Sequence, residues 1–317
     1  MLLGLGAAIH AVRQHVTHRR WPAPPVSPFE GELYRVGQTT IAVRRHDAAE
    51  RTLVCMPGFL EDVRYFLEVY RDHPYDLILV NNADYHCPFD ESRAHRLDWP
   101  ANPHPVTTLA HDGFIVAHAA ARLARTKTVV LHGHSRGGAV VLEAGRQLPS
   151  IAGDAPPAVS ALLEAPVLPQ GTPAGRSTGP VSRAMTLYLM PLAMALSRNI
   201  SEQRIARLPM MKPTTPRKTE LAKALFVNPK DYATAIGNVR DIDAWQRREG
   251  YELYDGYTNL AVLVGERDDV LSTQTMTASA TEGKARNAGV RIVHTSNTNH
   301  FITLERPELV ASIIDTL

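Results

Sequence analysis

Three short stretches hold side chains that could do nucleophilic chemistry together. Gly133-His134-Ser135-Arg136-Gly137 fits G-x-S-x-G, with Gly138 directly after it. Glu266-Arg267-Asp268-Asp269 follows the apolar run LAVLVG, and Asn299-His300-Phe301 comes shortly after the run VRIVHTS. A serine hydroxyl is a weak nucleophile and needs a base, itself oriented by a third group. Serine, acid and histidine occur here in that chain order, one of the orders in which such groups assemble. The set would attack a carbonyl, form an acyl-enzyme and release it to water, with the acid fixing the imidazole tautomer.

Such residues need a scaffold that gathers them. KTVVLHG reads as a buried strand and RGGAVVLEAGRQLP as a helix, so Ser135 falls at a sharp strand-to-helix turn. The serine would be strained there, and the glycines let strand and helix approach. The helix N-terminus behind it favours developing negative charge. LAVLVG and VRIVHTS are also strands. The acid turn and His300 therefore lie past strand C-terminal ends, on the same sheet edge as Ser135.

The rest of the chain supplies the sheet. ELYRVG and TTIAVRRH flank Gly37-Gln38 as a hairpin, and RTLVCMPG and YDLILVNNA are buried strands. EDVRYFLEVYRDH has helical spacing, and VTTLAHDGFIVAHAAARLAR is a helix that Thr107 or Thr108 can cap. AVSALLEAPVLP is a strand, with later helices near Gln274 to Asn287 and in RPELVASIIDTL. Strands alternating with helices predict an α/β fold, a mostly parallel sheet covered on both faces. Helices and Pro/Gly breaks interrupt the alternation and predict a cap over the C-terminal edge of the sheet. The expected organisation is an N-terminal helix and Pro-rich linker (1–31), a core (32–169 and 258–317) and a helical cap (170–257).

Bulk properties narrow the function classes. The 317 residues are 44% hydrophobic and 21% charged, enough for a sizeable core, and the net charge of +2 carries no signature of nucleic-acid binding. Two cysteines, Cys55 and Cys87, form no disulfide framework and point to a reducing, cytoplasmic setting. No C-x-x-C or H-x-x-E-H pattern occurs, so neither a metal nor an organic cofactor is expected. The polar loop from Tyr85 to His104 fits no ligand spacing and reads as a rim for substrate entry or a solvated loop. The apolar stretch Met1 to Val12 is too short to span a bilayer. It reads either as a helix packed on the body or as an interfacial one. In the second case residues 1–20 make peripheral membrane contact, with Leu2, Leu5, Ile9 and Val12 toward lipid and Arg13, Arg19 and Arg20 near headgroups.

GHSRGG, GERDDV and NHFITLERPELV together resemble the α/β-hydrolase family, over nearly the whole chain after about Glu32. The resemblance implies an α/β-hydrolase fold with a helical cap, and a serine hydrolase needing no cofactor. It makes Ser135 the nucleophile, His300 the base and Asp268 the acid. Asp269 is the neighbouring alternative, and Glu164 occupies the place some members use. Asn299 stands where the family usually has glycine before the histidine. Two backbone N–H groups would form the oxyanion hole, those of Arg136 and Phe59, with Leu60 as fallback donor. Pro57 replaces the family's usual histidine in that turn, and the donating N–H is not its own. The histidines His132, His134 and His294 read as structural.

AMTLYLMPLAMALSRNI in the cap is rich in Met and Leu, side chains that make adaptable apolar walls. Met190 and Met194, with Leu60, are the expected substrate contacts, and Met210 and Met211 have the same ambiguity between packing and binding. The leading expectation is hydrolysis of a small-molecule carboxylic ester with an apolar, lipid-like acyl or alkyl group. Carbon–carbon bond hydrolysis, acyl transfer with the same triad, and a non-catalytic binding role are the alternatives.

Overall fold

A computed structural model describes residues 2–153, 158–175 and 179–317, without the side chains of Leu2, Leu3 and Pro180. Parts of the expected core (154–157) and cap (176–178), and the Leu2 contact expected with lipid, lie outside the described residues. The strands are β1 (Glu32–Val36), β2 (Thr39–Arg44), β3 (Arg51–Met56), β4 (Tyr75–Val80), β5 (His95–Arg96), β6 (Thr128–His134), β7 (Ala158–Glu164), β8 (Leu260–Gly265) and β9 (Val290–Thr295). They form one sheet in the order β5-β1-β2-β4-β3-β6-β7-β8-β9. The β1–β2 and β2–β4 pairs are antiparallel, and from β4 to β9 every pairing is parallel.

Successive strand residues feed opposite faces of the sheet. Val54, Met56, Val129 and Leu131 pack into one core with α3 (Leu109–Leu123), α4 (Arg136–Ala152) and α9 (Thr273–Arg286). Leu53, Cys55 and Val130 pack into the other with α2 (Arg64–Leu67), α10 (Ile302–Glu305) and α11 (Pro307–Ile314). Burial on both faces explains why β3, β4, β6 and β8 read as unbroken apolar runs. Among the described residues, four α-helices intervene between β7 and β8: α5 (Pro180–Ser197), α6 (Glu202–Ile205), α7 (Pro216–Ala224) and α8 (Tyr232–Arg248). An N-terminal helix, α1 (Leu2–His18), meets α5 and α8.

Two elements depart from their sequence pattern. The expected helix over EDVRYFLEVYRDH is one turn, α2, because Tyr65 and Tyr70 are pulled to separate partners on the sheet. Their hydroxyls bond Glu164 and His132, each at 2.7 Å. In contrast, α4 runs through Pro149 to Ala152, held by packing against α3.

The Tyr85–His104 segment closes the sheet edge. Its two-residue β5 pairs with β1, Glu91 bonds Arg35 at 3.1 Å and Thr40 at 2.5 Å, and none of its residues lines the cavity beside Ser135. Among the described residues, no helix is long and apolar enough to cross a membrane, and no cluster of three or more His, Cys, Asp or Glu could hold a metal ion.

Candidate active site

Ser135 lies between β6 and α4 with φ 52° and ψ −116°. That region costs a non-glycine residue about 1–3 kcal/mol, so the surroundings must hold it. They do so through its backbone. Ser135 N–H donates to the Glu164 carbonyl at 2.9 Å, and its own carbonyl accepts from Gly138 at 3.0 Å and Val167 at 2.9 Å. The sharp turn is why glycines flank it. A Cβ on Gly133 would lie 2.2 Å from the Gly137 carbonyl oxygen, and one on Gly137 would lie 2.1 Å from that of Met56.

His300 follows β9 and precedes α10. Its Nδ1 lies 2.8 Å from Asp268 Oδ2. Asp268 Oδ1 accepts the amides of Val270 and Leu271, each at 2.8 Å, so both carboxylate oxygens are committed. Burial pushes the Asp268 pKa up, but the His300 ring and the two amides outweigh it and hold the carboxyl below its ordinary value. Ser135 and His300 line one cavity of about 220 Å³ with Phe59, Leu60, Glu61, Val270 and Phe301, roofed by Ile205, Leu208, Met210, Met211, Ala222, Leu225 and Phe226.

The alternative acids point elsewhere. Asp269 Oδ2 accepts from Asn299 Nδ2 at 2.7 Å. Glu164 is fully buried, accepting from Tyr65 Oη (2.7 Å), His132 Nε2 (3.0 Å) and Thr303 (2.5 Å from N–H, 2.6 Å from Oγ1). Burial alone would raise its pKa, but the charge on His134 and the bonds from His132 and Thr303 lower it to about 2.

Met190 and Met194 are not at the cavity. Met194 is buried among Leu60, Tyr85, Tyr232 and Ala235, and Met190 packs against the same group, because that side of α5 faces α8 and α1. Of the expected contacts only Leu60 lines the cavity, and Met210 and Met211 supply its sulfur-bearing wall.

Sequence reasoning took His134 as structural but missed its pairing with Glu61. His134 Nδ1 meets Glu61 Oε2 at 2.7 Å, and its Nε2 meets the His300 carbonyl at 2.9 Å. Burial disfavours the imidazolium, but Glu61 and Glu164 outweigh this and raise the His134 pKa to about 9. The charged ring therefore donates from both nitrogens. Glu61 Oε2 also accepts the Gly58 amide at 2.7 Å. Arg136 works from the opposite side. Its Nη1 meets Asp112 Oδ2 at 2.7 Å and Asn82 Oδ1 at 2.8 Å, and Asn82 Nδ2 donates to the carbonyls of Gly58 (2.9 Å) and Glu61 (3.1 Å). The side chains on either side of Ser135 thus clamp the Gly58–Glu61 turn, whose Phe59 and Leu60 border the cavity.

Asn299 is a second hub. Its Oδ1 accepts from the amides of Asp269 (3.0 Å) and His300 (2.8 Å), and its Nδ2 also donates to the Pro209 carbonyl at 3.2 Å. Its amide donates to Glu305 Oε2 at 2.6 Å, and Glu305 pairs with the buried Lys218 of α7. Asn299→Gly should remove the side-chain bonds and lower unfolding free energy by about 2 kcal/mol. Urea denaturation of both proteins measures this, and an unchanged midpoint would mean that the hub carries no weight.

An α/β-hydrolase-type architecture with a serine elbow and an Asp–His pair defines the class. A model of the α/β hydrolase family matches residues 53–313, and the chain belongs to that family. No curated protein matches the sequence. Among solved structures, a hydrolase from Oleispira antarctica superposes with a TM-score of 0.61 at 13% identity, covering 87% of this chain and 94% of that one. A thermophilic esterase from Thermogutta terrifontis, with malate bound, gives 0.59 at 16% identity, covering 88% and 92%. MenH from S. aureus gives 0.56 at 16% identity, covering 86% and 96%.

Proposed function

We propose that the protein is a serine hydrolase that cleaves a carboxylic ester with an apolar acyl or alkyl group through an acyl-enzyme on Ser135. The observation that carries this reading is the pairing of His300 Nδ1 with Asp268 at 2.8 Å, beside a cavity that also exposes Ser135. With Nδ1–H given to Asp268, Nε2 is the free base. It takes the Ser135 proton as Oγ attacks the carbonyl, and returns it to the leaving alcohol. The amides of Phe59 and Arg136 bind the oxyanion. Water then repeats the cycle on the acyl-enzyme. The segment 170–257 serves as the cap, and its Ile205, Leu208, Met210, Met211, Leu225 and Phe226 give the acyl or alkyl group an apolar wall.

Two measurements on the wild-type protein test this. A fluorophosphonate should add one equivalent of mass, and peptide mapping should place it on Ser135. p-Nitrophenyl esters from acetate to palmitate should then be hydrolysed, short and medium chains faster than palmitate. An unlabelled Ser135, or no turnover across the series, would sink the reading.

A further inference from the structure

Among the described residues nine large apolar side chains are exposed, and seven of them lie on two helices. Leu5, Ile9 and Val12 are on α1, and Val181, Met185, Leu189 and Leu196 on α5. Every residue from Gly4 to Val12 is exposed, and so is every residue from Val181 to Thr186. Both segments therefore present these side chains to solvent, and α5 touches the body there through the ion pair of Arg183 with Asp243 of α8.

They are joined at one place. His10 Nδ1 lies 3.0 Å from the Tyr188 hydroxyl, Arg13 Nε donates to the Tyr188 carbonyl at 2.8 Å, and the Arg13 guanidinium sits 4.6 Å from the centre of the Tyr188 ring. Below that junction Val16 packs against the group containing Met194 and Tyr232. The result is a two-helix tip whose α1 part alone reaches about 13 Å. A short helix with no packed face is marginal in water, so this tip is built for another surface.

Its charges say which one. Neither α1 nor α5 contains an Asp or Glu. Cations gather where the tip meets the body: Arg13 and Arg19 beside His15 and His18 on the N-terminal segment, with Arg20 already paired with Asp84 at 2.9 Å and Arg183 of α5 with Asp243. A second copy of the same face would set cations against cations. Lipid phosphates would neutralise them while the apolar residues enter the acyl boundary.

We propose that the α1–α5 tip is a docking surface for an anionic phospholipid bilayer. Leu5, Ile9, Val12, Val181, Met185 and Leu189 enter the interface, and Arg13 and Arg19 meet the headgroups. The proposal stands apart from ester hydrolysis, because its test reads binding alone.

The experiment is flotation of the full chain with vesicles of phosphatidylcholine and phosphatidylglycerol, beside vesicles of phosphatidylcholine alone. Wild type should float with the anionic vesicles, less so as salt rises. Ile9→Asp/Met185→Asp should cut the bound fraction at least roughly tenfold, since each change puts a charge where an apolar group entered lipid. Unchanged thermal midpoints would show that the variant is folded, and Leu5→Asp/Leu189→Asp repeats the test at independent positions. Wild type left at the bottom of the gradient, or both variants floating like wild type, overturns the proposal. So does a wild-type dimer, seen by light scattering, that the variants dissociate while no flotation occurs.

Discussion

Ser135→Ala should lower kcat on a p-nitrophenyl ester by about 10⁶-fold, and Ser135→Ala/His300→Ala should fall no further. In the proposed mechanism the two groups act on one proton, so removing either removes the step. Asp268→Asn isolates the third group, with an expected loss of about 10⁴-fold in kcat and little change in KM. An amide at this position can donate to Nδ1, which moves the ring proton to Nε2 and leaves no base facing Ser135. The structure separates this from Asp269, whose carboxylate is turned to Asn299 at 2.7 Å. Asp269→Asn keeps an oxygen acceptor there and should stay within about tenfold of wild type, the cost of one weakened hydrogen bond. Steady-state kinetics of the four variants, with circular dichroism as a check on folding, decides it. A mild Asp268→Asn beside a severe Asp269→Asn would reverse the assignment of the acid.

The sharp turn at Ser135 was readable in the sequence for a steric reason. A strand-to-helix turn with Met56 and Gly137 in backbone contact tolerates no side chain at Gly137, so the motif carries its geometry in its composition. The parallel sheet was readable because burial on both faces forces unbroken apolar runs. Only the family resemblance favoured Asp268 over Asp269, since both leave the same strand end and only the side-chain partners differ. Met190 and Met194 looked like pocket residues because an apolar stripe says that a helix packs, not against what. The Glu61–His134 pair was invisible for another reason: its members are 73 positions apart, and no local periodicity links them. One signal was present. Glu61-Asp62 is an acidic pair between an apolar strand and a run of aromatic residues, a place where a carboxylate needs a partner.

That pair makes stability depend on pH in a defined way. The His134 imidazolium is buried against Glu61 at 2.7 Å and the His300 carbonyl at 2.9 Å, with the Tyr65 ring stacked on it at 4.4 Å, the His300 ring at 4.8 Å, and Glu164 as a second carboxylate favouring its charge. Its pKa of about 9 exceeds the ordinary 6.5, so folding favours the protonated form. The stabilisation is complete below 6.5 and is lost as pH rises through 9, about 3 kcal/mol in all. Glu164 has the opposite sign. Its pKa of about 2 lies below the ordinary 4.5, so its contribution is complete above 4.5 and lost as pH falls toward 2. Between 4.5 and 6.5 both contributions are present. Glu61→Gln tests the alkaline limb. Its amide oxygen can stand in for Oε2 and accept from both Gly58 and the Nδ1–H of a neutral His134, so the turn keeps these two bonds and loses the charge attraction. The variant should be less stable than wild type at pH 6.5, by up to about 3 kcal/mol, and should converge with it by pH 10, where His134 is neutral in both. Urea unfolding across that range measures the two curves. Curves that stay parallel from pH 6.5 to 10 would mean that His134 holds no extra proton in the folded protein, and the clamp on the Gly58–Glu61 turn would then rest on neutral hydrogen bonds alone.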